Sequence, residues 1–117
     1  MSESDEQEAD EQSAGDAATA GELSQLDRTV HEPARLAILV ILAVVERADF
    51  TYVKNQAGLS GGNLASHLAK LEAAGLVAVE KSFEGRRPQT NLSLTPAGRE
   101  ALVRWRAQVG RLMDLLP

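Results

Sequence analysis

Two short helical patterns lie close together in the middle of the chain. Residues 52–57 form the first, with Thr51 as its predicted N-cap and Gly58 as its predicted end. Residues 61–74 form the second, which follows Ser60 after only a tight turn. Two helices joined in this way predict a helix-turn-helix, whose second helix enters the major groove of DNA with its first residues against the base edges.

The second of these helices begins with Gly61 and Gly62, although each glycine costs about 1 kcal/mol relative to alanine inside a helix. A first turn without Cβ atoms allows the backbone to approach a phosphate closely, and the free N–H groups there favour an anion. The alternative is a loop that continues to Gly62, with a shorter helix after it. The two glycines alone favour neither interpretation.

The other side chains of this helix separate into two faces at 100° per residue. The predicted core stripe consists of Leu64, Leu68 and Leu71. Another side carries Asn63, Ser66 and Lys70, with His67 between this side and the stripe. All four polar groups can donate hydrogen bonds to bases or phosphates, whereas a merely solvated face would usually carry several Glu and Lys. This polar face therefore predicts contacts with DNA.

A β-hairpin follows the second helix. Residues 76–83 and 89–95 each alternate between apolar and polar side chains, and the loop between them contains glycine. Arg86 and Arg87 lie at the predicted tip, where they suit phosphates or a narrow minor groove. A pair of arginines in a turn is more often only solvated charge. The position of this pair after the helix-turn-helix favours a contact with DNA.

Further helices flank these central elements. Residues 33–48 begin with proline and are apolar on nearly all sides, which predicts a core helix, and residues 23–30 predict a short helix before it. Residues 48–50 are too short for more than a strand stub. Thr95 is the predicted cap of a last helix, residues 96–116. The chain is thus predicted to be mainly α, with one β-hairpin.

The last helix has an apolar seam. Its members, spaced 3, 4, 3 and 4 residues apart, are Leu102, Trp105, Val109, Leu112 and Leu116. Two heptads of this kind predict a homodimer, formed through the last helix and the apolar helix at 33–48. The alternative is a helix that folds back onto its own domain.

The order of these motifs resembles the winged-helix transcriptional regulators of the ArsR/MarR-like group, and most of all the small stand-alone winged-helix DNA-binding proteins of bacteria and archaea. The matching stretches, which cover about residues 27–105, are "HEPARLAILVIL", "GLSGGNLASHLAKLEAAGLVAVEKSF", "GRRPQT" and "LSLTPAGREAL". The resemblance implies a winged helix-turn-helix domain at residues 23–95 and a dimerisation helix at residues 96–117.

The resemblance also implies the DNA contacts. The helix matching residues 60–74 would read the major groove, and the loop at 84–88 would be the wing. The implied contact residues are Ser60, Gly61, Gly62, Asn63, Ser66, His67, Lys70, Arg86, Arg87 and Thr90. The implied function is that of a sequence-specific regulator of transcription, a repressor that binds a palindromic site on double-stranded DNA as a homodimer. The alternative is a winged helix that binds another protein and no DNA. The sequence identifies no small-molecule effector.

The charge of the chain is unevenly distributed. Residues 1–22 carry eight acidic and no basic side chains, whereas the rest carries twelve basic against nine acidic ones, a net charge of +3. The first segment lacks Val, Ile, Leu and aromatic residues, so it is predicted to be a disordered acidic tail. Its role is either solubility or competition with an acidic polymer for the basic surface.

Several classes of protein are disfavoured. The chain has no cysteine, and His31 and His67 fall on different elements without ligand spacing, so no metal site is predicted. A nucleophile elbow and a phosphate loop are also missing, and we expect neither catalysis nor a cofactor. The longest apolar run, residues 36–45, is about half of a membrane span, and no signal peptide is evident. We therefore expect a cytoplasmic protein.

Overall fold

The computed structural model describes residues 27–117. The predicted acidic tail (1–22) and the beginning of the predicted helix at 23–30 lie outside the described residues. The elements, in chain order, are α1 (Pro33–Val45), β1 (Arg47–Asp49), α2 (Phe50–Ala57), α3 (Gly61–Ala73), β2 (Val77–Glu84), β3 (Arg87–Leu94) and α4 (Pro96–Met113). Residues 28–30 form a turn instead of the predicted helix. Among the described residues, no helix is long and apolar enough to cross a membrane.

Helix α1 is the central core helix that its apolar composition predicts. Glu32 caps its first turn, because its carboxylate accepts a hydrogen bond of 2.8 Å from the backbone N–H of Arg35. The prediction that this helix continues to residue 48 is wrong. The helix ends at Val45, because Glu46 adopts a positive φ of 68° and directs the chain into β1.

Helix α2 begins two residues earlier than predicted. Asp49, rather than Thr51, is its N-cap, and the Asp49 carboxylate accepts a hydrogen bond of 2.7 Å from the backbone N–H of Tyr52. Asp49 is free to cap because it ends β1 with an extended backbone. Gly58 ends the helix in the left-handed conformation, with φ of 67°, as predicted.

Helix α3 confirms the longer of the two interpretations. The Ser60 hydroxyl accepts a hydrogen bond from the backbone N–H of Asn63, and both glycines belong to the helix. The alternative of a loop continuing to Gly62 is therefore wrong. The core stripe is confirmed, since the buried residues of this helix are Leu64, Leu68 and Leu71.

The predicted hairpin is part of a three-stranded antiparallel sheet. The strand order is β1-β3-β2, so the predicted strand stub pairs with β3 on the side away from β2. The predicted loop was too long, because β2 and β3 continue pairing up to Glu84 and Arg87. A two-residue turn remains, with Gly85 at φ of 66°.

Helix α4 begins at a tightly packed corner. The Thr95 hydroxyl accepts a hydrogen bond of 3.0 Å from the backbone N–H of Gly98, as its predicted capping role requires, and donates one of 2.6 Å to the carbonyl of Gly75. The helix ends at Met113, three residues earlier than predicted. Residues Asp27–Trp105 form one compact unit, which includes the first half of α4.

The core of this unit draws on every major element. Its fully buried large side chains are Val30, Ile38, Leu39, Leu42, Val53, Leu64, Leu71 and Leu92. Helices α1 and α3 supply most of them, so α3 is held along one side while its other side faces solvent.

Candidate nucleic-acid interface

The solvent-facing side of α3 is small and polar. Its exposed residues from the first turn to the third are Gly62, Asn63, Ala65, Ser66, Ala69 and Lys70. The polar pattern of the sequence does not point to the two alanines. Their side chains are short, so they leave space between the longer polar side chains of this face. Glu72 is the sole acidic residue of the helix and lies in its last turn. The face can thus approach an anionic polymer closely and donate hydrogen bonds to it.

The two glycines that begin α3 are not required by packing within the described residues. A Cβ at Gly62 would meet none of their atoms within 4 Å, and one at Gly61 would only reach Phe50 at 4.0 Å. Neither glycine has a positive φ. The domain could therefore accept alanine at both positions, which fits a demand from outside the chain, such as the close approach of a phosphate.

His67 lies against α1, and its side chain is only 21% exposed. Its Nδ1 atom is 3.4 Å from Nη1 of Arg35 and 3.7 Å from Oε2 of Glu32. Among the polar residues of α3 predicted to contact DNA, His67 is thus the one whose side chain contacts Arg35 and Glu32 at the beginning of α1. Sequence analysis missed both partners, since neither lies near His67 along the chain.

The Glu32 carboxyl is held in its charged form. Burial raises its pKa, but hydrogen bonds from the backbone N–H groups of Arg35 and Ala34 and the positive charges of His67 and Arg35 outweigh burial. The net result is a pKa below the usual 4.5. The N-terminus of α1 therefore presents a carboxylate to α3 at neutral pH.

The hairpin supplies the basic part of the surface. Arg86 lies in the two-residue turn, Arg87 opens β3, and both are exposed. Lys81, which sequence analysis did not select, is exposed on β2 directly opposite Thr90. Thr90 itself is half-buried in the middle of β3.

One of the two carboxylates of the hairpin has a partner on β1. Glu80 lies 3.2 Å from Arg47, and both side chains are more than half exposed, so the pair contributes little to stability. The positive charge of Arg47 does, however, offset the negative charge of Glu80 close to the base of the hairpin.

A polar cleft of about 380 Å³ joins the hairpin to the helix-turn-helix. Thr51, at the beginning of α2, faces Arg87 and Thr90 of β3 across this cleft. The hairpin thus adjoins the beginning of α2 along this cleft.

The family model for a winged helix DNA-binding domain matches residues 34–114. The chain belongs to this winged-helix family. In a winged helix the second helix of the helix-turn-helix is named the recognition helix and the hairpin is named the wing, so we give these names to α3 and to β2, β3 and the turn between them. This match, together with the fold, makes the protein a winged-helix DNA-binding regulator of transcription.

Known proteins resemble this winged helix in sequence and in structure. An uncharacterised protein of Methanocaldococcus jannaschii is 40% identical over 67 residues, which are 57% of this chain and 73% of the relative. A transcriptional regulator homologue of Pyrococcus horikoshii is 30% identical with a TM-score of 0.75, over 80% of this chain and 95% of that one. A MarR-family regulator of Silicibacter pomeroyi, 23% identical with a TM-score of 0.60, has the same fold over 82% of this chain and 64% of that one.

The predicted dimer seam of this winged-helix protein divides into two parts. Leu102 and Trp105 are half-buried against the core of their own domain. Val109 and Leu112 are half-buried, and Leu116 is 63% exposed beyond the end of α4. The first part of the seam thus contributes to the domain core, which leaves the second part as the candidate contact with a partner.

The two histidines lie in different surroundings. His31 accepts a hydrogen bond of 3.0 Å through its Nδ1 atom from the indole N–H of Trp105. Among residues 27–117, no group of three or more His, Cys, Asp and Glu side chains could hold a metal ion.

Proposed function

We propose that this regulator is a repressor that binds a palindromic site on double-stranded DNA as a homodimer. The observation that carries the proposal is the exposed polar face of the recognition helix beside a basic wing. Asn63 is the best placed to read a base edge, because it is exposed in the first turn and can make a bidentate contact with adenine.

The wing supports a contact with the DNA backbone. Arg86 and Arg87 are exposed at its end, and Lys81 adds a third cation on β2. Arginine and lysine at such positions neutralise phosphates and release counterions, which gives affinity without reading sequence. In this proposal α3 reads the bases, and the wing binds the DNA backbone electrostatically.

A homodimer would give the two recognition helices a defined spacing. Two copies related by a two-fold axis read half-sites about 34 Å apart, one turn of DNA. The outer part of the α4 seam supports this assembly, with Val44 of α1, 76% exposed, as a second apolar contribution. Repression is the simpler mode of regulation, because a dimer that occupies a promoter excludes polymerase without an activation surface.

The proposal includes regulation of this protein by a small-molecule effector. NadR, a protein of related structure at 26% identity and a TM-score of 0.60, was solved in complex with 4-hydroxyphenylacetate. Small aromatic acids are therefore the first class of compounds to screen against this protein.

The test of DNA binding uses fluorescence anisotropy with the DNA upstream of the protein's own coding sequence. A scrambled duplex of the same composition is the control. We expect the upstream DNA to bind at least about 10³-fold more tightly at moderate salt. Equal affinity for both duplexes would contradict sequence-specific recognition. Absence of binding to either duplex at low salt would favour the protein-interaction module instead.

The test of the dimer is light scattering with a charged substitution in the seam. Val109→Glu combined with Leu112→Glu should give a folded monomer with greatly reduced operator affinity. Val103→Glu is the matched control, because Val103 is 64% exposed on α4 outside the seam. A wild-type protein that is monomeric at micromolar concentration, both free and on DNA, would overturn this part of the proposal.

A further inference from the structure

The imidazole of His67 has both of its α1 partners on one nitrogen. Nη1 of Arg35 and Oε2 of Glu32 approach Nδ1, at 3.4 and 3.7 Å. The two nitrogens of an imidazole point away from each other, so these contacts leave Nε2 for other partners. His67 lies one residue after Ser66 and three before Lys70, both exposed on the face that we assign to DNA.

The chemistry of these partners determines which nitrogen carries the proton. A guanidinium group has donors and no acceptor, so the shorter of the two contacts, the one with Arg35, directs the lone pair of Nδ1 toward Arg35 when the ring is neutral. The proton of the neutral ring then lies on Nε2. If the ring is protonated, Nδ1–H donates to the Glu32 carboxylate instead, and Nε2 still carries a proton. Both states therefore present the same group, an Nε2–H donor.

The partners themselves are held in place. The Nε and Nη2 atoms of Arg35 donate hydrogen bonds to the carbonyls of Thr29 and Arg28, at 2.7 and 3.1 Å. The Glu32 carboxylate accepts the backbone N–H of Arg35 as the cap of α1. Neither side chain can turn away from His67 without losing these bonds, so the arrangement is built into the domain.

We propose that Arg35 and Glu32 are positioning residues that fix His67 as a hydrogen-bond donor to DNA through Nε2. The proposal rests on the proposed function, since it assigns a chemical role to one residue of the DNA-binding face. His67 would then recognise a hydrogen-bond acceptor, either N7 or O6 of guanine or a phosphate oxygen, and would not recognise a donor such as the amino group of cytosine or adenine.

The first experiment measures the tautomer directly and needs no DNA. Long-range ¹H–¹⁵N NMR of the full chain at about pH 8.5, where an imidazole is neutral, should show the proton of His67 on Nε2. Arg35→Met should shift His67 toward a mixture of tautomers, whereas Arg28→Met should not, because Arg28 offers only its backbone carbonyl. A wild-type His67 with its proton on Nδ1 would overturn the proposal.

The second experiment tests the contact with DNA by two amide substitutions. The amide nitrogen of glutamine can replace Nε2, and that of asparagine lies closer to the position of Nδ1. His67→Gln should therefore keep affinity for the operator within about 3-fold, whereas His67→Asn should lose about 10-fold or more. Equal losses in both variants would overturn the assignment of Nε2 as the donor.

A third comparison separates the positioning role from a structural one and identifies the acceptor. Arg35→Met should weaken operator binding in the wild-type background but have much less effect when residue 67 is glutamine, which has no tautomers. An equal effect in both backgrounds would reduce Arg35 to a structural residue and contradict its positioning role. Both acceptor classes satisfy the proposal: a loss in His67→Asn confined to the operator assigns a base, and an equal loss on scrambled DNA assigns a phosphate.

If the wild type binds no DNA, the proposed function and the donor role of His67 fail together, whereas the NMR result still decides whether α1 fixes the tautomer.

Discussion

The recognition helix is anchored in every turn, whereas the wing is anchored only at its base. Leu64 and Leu71 of α3 are completely buried, and His67 is tied to α1 between them. In the sheet, Val77 and Leu92 are buried near the body of the domain, but Phe83 is 74% exposed near the turn. Base reading requires atoms placed to within a fraction of an ångström, while attraction between a cation and a phosphate tolerates displacement. The two parts of the surface are thus held to the precision that the contacts proposed for them require.

The largest expected effect comes from removing an apolar side chain from each region. Leu64→Ala should lower the free energy of unfolding by about 2–5 kcal/mol, because it leaves a cavity beneath the recognition helix. Phe83→Ala should change it by less than about 0.5 kcal/mol, because its side chain is already exposed. Urea unfolding followed by circular dichroism measures both. Similar losses in the two variants would show that the wing is packed as firmly as the helix.

The next effect concerns the corner that joins both regions. A Cβ at Gly98 would overlap the carbonyl oxygen of Leu76 and the side chain of Leu94. Since Leu76 follows the recognition helix and Leu94 ends β3, Gly98→Ala should cost about 1–3 kcal/mol of stability. Gly110→Ala, in the same helix but with open space around it, should be neutral or stabilise by up to about 1 kcal/mol. If Gly98→Ala and Gly110→Ala have the same effect on the urea midpoint, the close packing at Gly98 does not contribute to stability.

The two regions should also differ in how they lose DNA affinity. Asn63→Ala should cost about 1–3 kcal/mol on the operator and little on random DNA. Arg86→Ala with Arg87→Ala should weaken both complexes and flatten the salt dependence by about one slope unit for each lost phosphate contact. Anisotropy titrations across a salt series measure both quantities. An unchanged slope would remove the wing from the interface, and equal losses of Asn63→Ala on both duplexes would make Asn63 a backbone contact.

The smallest effect should follow deletion of residues 2–22. The segment contains no Val, Ile, Leu or aromatic residue, so we expect the melting temperature to change by less than about 2 °C. If its eight carboxylates compete with DNA for the wing, the truncated protein should bind random DNA more tightly at low salt. Identical affinities for the full-length and truncated proteins would leave solubility as the role of the segment.

Local pattern was sufficient to predict most of the fold. The spacing of Leu64, Leu68 and Leu71 and the capping residue Ser60 define α3 within a window of about twelve residues, and the structure agrees. The choice of cap for α2 was wrong because both Asp49 and Thr51 can cap a helix. The decision depends on β1, whose pairing with β3 joins residues more than forty positions apart.

The candidate site depends even more on contacts between residues that are distant along the chain. The exposed polar face of α3 follows from helical periodicity, but the contact between His67 and Arg35 spans 32 residues. The crowding of Gly98 against Leu76 likewise depends on how the beginning of α4 packs against the connection between α3 and β2. Both features arise from packing between elements, which periodicity within one element cannot reveal.

The hydrogen bond between Trp105 and His31 gives this protein an intrinsic optical probe. Trp105 is the only tryptophan of the chain, so all indole emission comes from one side chain. Its N–H donates to an imidazole at 3.0 Å, and the two ring centroids are 6.4 Å apart. Indole emission responds to exposure to solvent, and Trp105 lies one helical turn before Val109, where the outer part of the seam proposed for the dimer begins. Fluorescence of the unlabelled protein can therefore report the packing of the segment that leads into α1 and the arrival of a second chain at the outer part of the seam.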